Sequence, residues 1–292
     1  MTVEVIVNNL GVRYGEHHAL QHIDFKLSGP KIYGLLGRNG AGKTSLLSIL
    51  SSFRSQTEGM LTINGEEPFE NAKVMSLVNF IYSKDYKEES ENAKNLLKDV
   101  ERYRANFDRD YADTLLKKFN LPVNKPLKKF SKGMQSAFDV VAGLASRAPI
   151  TIFDEAYQGM DAPTREIFYR EVLEDQAHHP RIIILSTHLV SEMDYLFDEV
   201  LILHEGKLLL QEEYESFITK GASITGETDE VDDFVRGLEL KQLSVQQLGG
   251  TKSVMVFGEL SEAKQKEAQQ RGLEMGPVSL QDLFIHLTGE DV

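Results

Sequence analysis

No cysteine occurs among the 292 residues, which excludes disulfides and thiolate chemistry and fits a reducing compartment. No apolar run approaches the roughly 18 residues that a membrane-spanning helix needs. The opening Met1-Thr2-Val3-Glu4-Val5-Ile6-Val7 carries a charge and reads as a strand, not as a signal peptide, so a soluble chain is expected. Excess positive charge is also lacking. The net charge of −13 argues against a nucleic-acid partner, because phosphate binding at useful affinity needs clustered Lys and Arg. Acidity is concentrated between Gln211 and Val235, where Glu212, Glu213, Glu215, Glu227, Asp229, Glu230, Asp232 and Asp233 are opposed only by Lys220. That run reads as a solvated face or linker. The length suits one large domain, or one domain and an appendage, with a core that needs no staple.

What is present is dominated by Gly37-Arg38-Asn39-Gly40-Ala41-Gly42-Lys43-Thr44, which fits the phosphate-cradling pattern G-x-x-x-x-G-K-[ST]. The apolar run from Ile32 to Leu36 precedes it as a buried strand. Leu46, Leu47 and Leu50 follow on one helical face. Glycines at 37, 40 and 42 let successive backbone N–H groups turn toward an anion, and the helix that starts after them adds its positive end. Lys43 is placed to reach the outer phosphates of a nucleoside triphosphate, and the Thr44 hydroxyl to ligate Mg²⁺. With Ser45, these residues form the predicted nucleotide-binding loop.

Around this loop the chain alternates strands and helices, which implies a largely parallel sheet with crossover helices, an α/β P-loop core. Val3–Leu10 and Ile23–Leu27 read as antiparallel strands before the buried one, and Tyr14, an aromatic at a turn, offers a face to a purine. His17, His18 and His22 lack a further ligand and read as surface histidines. Leu61–Gly65 and Val74–Tyr82 read as strands, and residues 84–147 as a largely helical insert. Ser131 caps a helix carrying Phe138, Val141, Ala142 and Ala145 at helical spacing. The strand Ile150–Phe153 delivers Asp154 and Glu155 at its carboxyl end, where ligands of parallel sheets bind. Neighbours on a strand point opposite ways, so one carboxylate is expected to hold Mg²⁺ and the other to orient or deprotonate an attacking water. His188, ending the next strand, is placed to hydrogen-bond a γ-phosphate. Strands at Val200–Leu203 and Leu208–Leu210 close the domain.

These residues, in this order, resemble the ATP-binding subunit of ABC transporters over residues 1 to about 215. The resemblance makes Asp154 the magnesium aspartate, Glu155 the catalytic glutamate, His188 the switch histidine and Tyr14 the adenine-stacking aromatic. Phe130-Ser131-Lys132-Gly133-Met134-Gln135 matches the signature segment, and Gln158-Gly159-Met160-Asp161 the turn that contacts a second subunit. It implies that Ser131 and the Gly133 N–H, at a helix N-terminus, bind the γ-phosphate held by the other subunit's loop. ATP would then join two copies, or near-copies, and power transport through a separately encoded membrane permease. The protein would lie in the cytoplasm against the inner face of the membrane.

Several positions depart from the family pattern. Ser83 stands where a magnesium-contacting Gln is usual, Lys132 and Met134 replace the usual Gly and Gln of the signature, and Ala156-Tyr157 replaces the common Pro-Thr. Ser83 remains a candidate metal ligand. Residues 216–292 read as a small α+β appendage, regulatory or dimer-contacting. In it, Leu243–Leu248 and Ser253–Phe257 form a hairpin about Gly249-Gly250, Leu260–Arg271 forms a helix, and Ser279 caps a last one with Asp282 completing a capping box. Export is the preferred direction. The alternative is an ABC-type switch acting on a ribosome or DNA-repair complex, disfavoured by the single cassette, the absence of a sustained heptad run and the net charge.

Overall fold

Period-2 alternation in the first thirty residues produces two long strands, β1 (Glu4–Tyr14) and β2 (His17–Ser28), in a computed structural model that describes residues 3–289. Met1 and Thr2, included in the strand expectation, lie outside the described residues. The all-buried β3 (Ile32–Gly37) leads through the glycine loop into α1 (Lys43–Leu50). β4 (Glu58–Ile63) returns to pair antiparallel with β1, giving the three-stranded sheet β2-β1-β4.

The strand expected over Val74–Tyr82 is shorter than its apolar content suggests. Asn71 accepts a hydrogen bond from the Val74 N–H and caps a one-turn helix, α2 (Ala72–Met75), so β5 begins only at Val78 (Val78–Tyr82). The helical insert follows as α3 (Ala93–Tyr103), α4 (Arg109–Lys118) and α5 (Lys132–Ala145), capped by Asn92, Asp108 and Ser131. β6 (Ile150–Asp154), α6 (Ala162–His178), β7 (Ile182–Thr187), β8 (Glu199–His204) and β9 (Lys207–Glu213) complete the sheet β5-β6-β7-β3-β8-β9. Strands β5, β6, β7, β3 and β8 run parallel. Leu46, Leu47, Ile49 and Leu50 of α1 join one apolar cluster with Val5, Leu10 and Leu27 of the antiparallel sheet and Ile152, Ile184 and Leu201 of the parallel one. Helix α1, and the loop before it, are thereby clamped between two sheets.

The chain divides into two units. The first holds residues 3–188 and Tyr195–Gln211; the second holds Leu189–Asp194 and residues 212–289. The second therefore begins earlier than the expected boundary near 215 and recruits a short helix, α7 (Val190–Met193). Its other elements are α8 (Tyr214–Ile218), β10 (Gly221–Glu227), α9 (Thr228–Arg236), β11 (Lys241–Leu248), β12 (Thr251–Phe257), α10 (Glu262–Gln270), β13 (Glu274–Pro277) and α11 (Leu280–Leu287). From β10 to β13 the order is βαββαβ. The antiparallel sheet β11-β12-β10-β13 makes it a ferredoxin-like α+β module. The acidic run read as a solvated face or linker supplies β10, a central strand, and α9. No helix among the described residues is long and apolar enough to cross a membrane.

Candidate active site

In-register parallel pairing places Tyr82, Asp154 and Ser186 side by side, with Leu36 opposite Thr187 one strand further on. The chain ends leaving β5, β6, β7 and β3 therefore converge at one edge of the sheet. They border a cleft of about 540 Å³ lined by Tyr14, His17, Ala19, the loop from Asn39 to Ser45, Tyr82, Ser83, Asp154, Glu155 and Gln158. His17, expected only as a surface histidine, thus faces this cleft. A larger hollow of about 790 Å³ is lined by Arg147 and Arg181, but their guanidinium groups are ion-paired to Asp108 and Asp175.

The loop is held in shape by close backbone approaches. Gly42 caps α1 with φ 104°, a left-handed conformation that side chains disfavour. A Cβ there would also lie 2.7 Å from the Ala19 carbonyl oxygen. Lys43 is buried, and its Nζ donates to the carbonyls of Gly37 at 2.6 Å and Arg38 at 3.3 Å. Among the described residues no carboxylate lies within ion-pairing distance of that ammonium. Burial lowers its pKa, against the attraction of Glu155 and Asp154. A buried cation with a hydrogen unassigned to any acceptor fits an incoming phosphate.

Thr44 and Asp154, distant in sequence, meet here: the Thr44 hydroxyl donates to Asp154 Oδ2 at 3.1 Å. Burial raises the Asp154 pKa, opposed by hydroxyls including that of Thr44. The Ser186 Oγ beside it is buried without a hydrogen bond of ordinary geometry. A carboxylate oxygen and two neighbouring hydroxyls form a hard-oxygen set suited to Mg²⁺. Ser83 lines the same cleft, but its hydroxyl accepts from Lys132 Nζ. Among the described residues no hydrogen bond joins Ser83 to Thr44 or Asp154.

Glu155 does not simply alternate with Asp154 along a strand. β6 ends at Asp154, and Glu155 turns away with φ 48°, its N–H bonded to the Ser186 carbonyl at 3.1 Å. Both carboxylates consequently line the cleft. Glu155 Oε1 lies 2.9 Å from His188 Nδ1, and Oε2 accepts from Gln158 Nε2 at 2.5 Å. The Tyr14 hydroxyl lies 3.3 Å from Ser45 Oγ, and the Arg54 guanidinium stands 4.2 Å from the Tyr14 ring centre. One face of the aromatic is therefore already covered by a cation, which no local pattern around Arg54 announces.

Ser131 and Gly133 do not border this cleft. Ser131 Oγ caps α5 by accepting from the Met134 N–H at 3.3 Å. A Cβ on Gly133 would fall 2.3 Å from the Gly159 carbonyl oxygen, and Ser136 Oγ donates to the Gln158 carbonyl at 2.7 Å. The α5 terminus and the turn 158–161 are thus packed together as one surface. Tyr157, which sequence reading noted only as a departure, places its hydroxyl against Thr187 and His188.

The model of the ABC transporter family matches residues 20–158. An uncharacterized ABC transporter ATP-binding protein of Methanocaldococcus jannaschii is 30% identical over 232 residues, covering 77% of this chain and 83% of its own. The lantibiotic transport ATP-binding protein SrtF of Streptococcus pyogenes is 29% identical over 217 residues, covering 72% and 90%. A solved ATP-binding subunit of an ABC transporter superposes with a TM-score of 0.65 at 22% identity, over 73% of this chain and 91% of that one. With a phosphate loop, a buried lysine and paired carboxylates at one sheet edge, the chain belongs to the ATP-binding, ATP-hydrolysing subunits of ABC transporters.

Proposed function

We propose that this subunit powers export through a separately encoded membrane permease, by ATP-driven pairing of two cassettes. The observation that carries this reading is the convergence of Lys43, Thr44, Asp154 and Glu155 on one cleft, with Ser131 and Gly133 outside it on a helix N-terminus. Such a terminus is an anion site without an anion of its own chain. A second copy, or a paralogous cassette, supplies one: the γ-phosphate held in the facing loop. Nucleic acid has no part in this reading.

In each cleft Tyr14 stacks on the adenine with the face that Arg54 leaves open. Backbone N–H groups from Gly37 to Ser45, with Arg38, Asn39, Gly40, Ala41 and Gly42 between, surround the phosphates, and Lys43 neutralises them. Thr44 and Asp154 would hold Mg²⁺, with Ser83 a further hydroxyl at the same cleft. The metal, when bound, supplies charge neutralisation on the phosphate oxygens. Glu155, held on one oxygen by His188 and on the other by Gln158, takes a proton from water as the water oxygen attacks the γ-phosphorus. The bond to the bridging oxygen breaks and ADP leaves. His188 hydrogen-bonds the γ-phosphate.

Export is favoured by the single cassette, the Phe130–Gln135 segment and the additional unit, and SrtF is by name a transport protein. The permease docks in a groove near the helical insert, which holds the subunit at the cytoplasmic face of the membrane. The ferredoxin-like unit acts in regulation or in contact between copies. Glu155→Gln tests the chemistry. The variant is expected to bind ATP normally, to lose about 100-fold or more in turnover, and to accumulate as an ATP-dependent dimer in light scattering. Wild-type turnover with intact binding would refute the role of Glu155.

A further inference from the structure

Two residues beyond Glu155 stands a tyrosine whose side chain is buried, with Tyr157 only 4% exposed. Its phenol oxygen accepts from the Thr187 hydroxyl at 3.1 Å and from the His188 main-chain N–H at 3.4 Å. It also lies 3.3 Å from His188 Nδ1, and the two rings are 6.0 Å apart at 60°. The same Nδ1 is 2.9 Å from Glu155 Oε1. An ionised carboxylate only accepts hydrogen bonds, so this contact requires the proton on Nδ1, leaving Nε2 for another partner. The His188 side chain is 41% exposed and has little packing of its own to hold its ring. Phenylalanine would fill the same apolar space, yet the hydroxyl is turned to the residues that end β7.

We propose that Tyr157 is a positioning residue for ATP hydrolysis. Its hydroxyl fixes the backbone and imidazole of His188 so that Nδ1–H meets Glu155 and, with both ring nitrogens protonated in the ATP complex, Nε2–H is directed to the phosphate. This inference rests on the roles given above to Glu155 and His188. It ties the segment leaving β6 to the end of β7, so the base and the phosphate-sensing ring are set by one side chain. Pre-setting the ring removes a rotational search from the reacting complex.

Tyr157→Phe keeps the ring and removes only the oxygen. In the full-length protein, ¹⁵N shifts of the His188 imidazole, identified by their disappearance in His188→Ala, report its tautomer. Wild type is expected to carry a proton on Nδ1. In Tyr157→Phe those signals are expected to move. At the same time kcat is expected to fall about 10-fold to 100-fold, and KM for ATP with Mg²⁺ to change less than about threefold. A packing role alone would lower the melting temperature and leave the His188 signals and kcat unchanged, which would overturn the proposal. So would an Nε2–H tautomer in the wild-type protein, a result available even if the variant fails to fold. Failure of the underlying reading looks different: Glu155→Gln then turns over ATP at the wild-type rate, whatever Tyr157→Phe does.

Discussion

At the scale of single residues, Asp139 shows how burial sets chemistry inside a helix. It sits on α5 at 5% exposure and accepts a hydrogen bond from the Tyr86 hydroxyl. Burial pushes its pKa from 3.8 up to about 6, although that hydrogen bond and the nearby Lys84 and Lys132 act to lower it. Between these two values the folded protein holds a proton that the unfolded chain has released. Stability therefore falls as pH rises through that window, and the ionised form costs up to about 3 kcal/mol above it. Asp139→Asn keeps an acceptor for Tyr86 and removes the charge. Urea unfolding is expected to show the variant more stable than wild type at pH 7.5, with the gap closing toward pH 4. An equal pH dependence in both proteins would count against this. Nothing in the spacing of Phe138, Val141 and Ala142 singles Asp139 out. The glycine loop, by contrast, is legible because its chemistry is carried by eight consecutive residues.

At the scale of elements, α9 illustrates composition masking an amphipathic helix. Thr228-Asp229-Glu230-Val231-Asp232-Asp233-Phe234-Val235-Arg236 is acidic enough to read as a solvated stretch. Yet Val231, Phe234 and Val235 recur at i, i+3 and i+4 and are buried in one cluster with Ile224, Val254, Val256 and Leu273. Lys252 pairs with Asp232, and Arg271 with Asp233, so part of the acid is neutralised across the unit. Phe234→Ala is expected to cost the second unit about 3–5 kcal/mol through the lost contacts and the cavity left behind. Hydrogen exchange should show β10 and β12 losing protection, with β3, β6 and β7 unaffected. Uniform protection in both units would contradict the placement of Phe234 in that core. The shortened β5 has a related cause: the Asn71 cap makes Val74 helical, a local bond that outweighs the apolar run.

At the scale of the whole molecule, the nucleotide cleft couples ligand to stability. A ligand that binds only the folded state at about 100 times its Kd adds roughly 2.7 kcal/mol. ATP with Mg²⁺ should therefore raise the melting temperature of wild type and leave that of Lys43→Ala unmoved in thermal-shift assays. An equal shift in both would remove Lys43 from the site. By itself, the sequence determined the strand, loop and helix around Lys43, the carboxylates at a strand end and the caps at Ser131 and Ser279. Each of these depends on residues within a few positions of one another. Only the tertiary structure decided that Arg54 covers Tyr14, that Lys132 reaches Ser83, that Tyr157 holds His188 and that β10 is central to its sheet. Those contacts join residues far apart in the chain, and packing, which no local period encodes, brings them within reach.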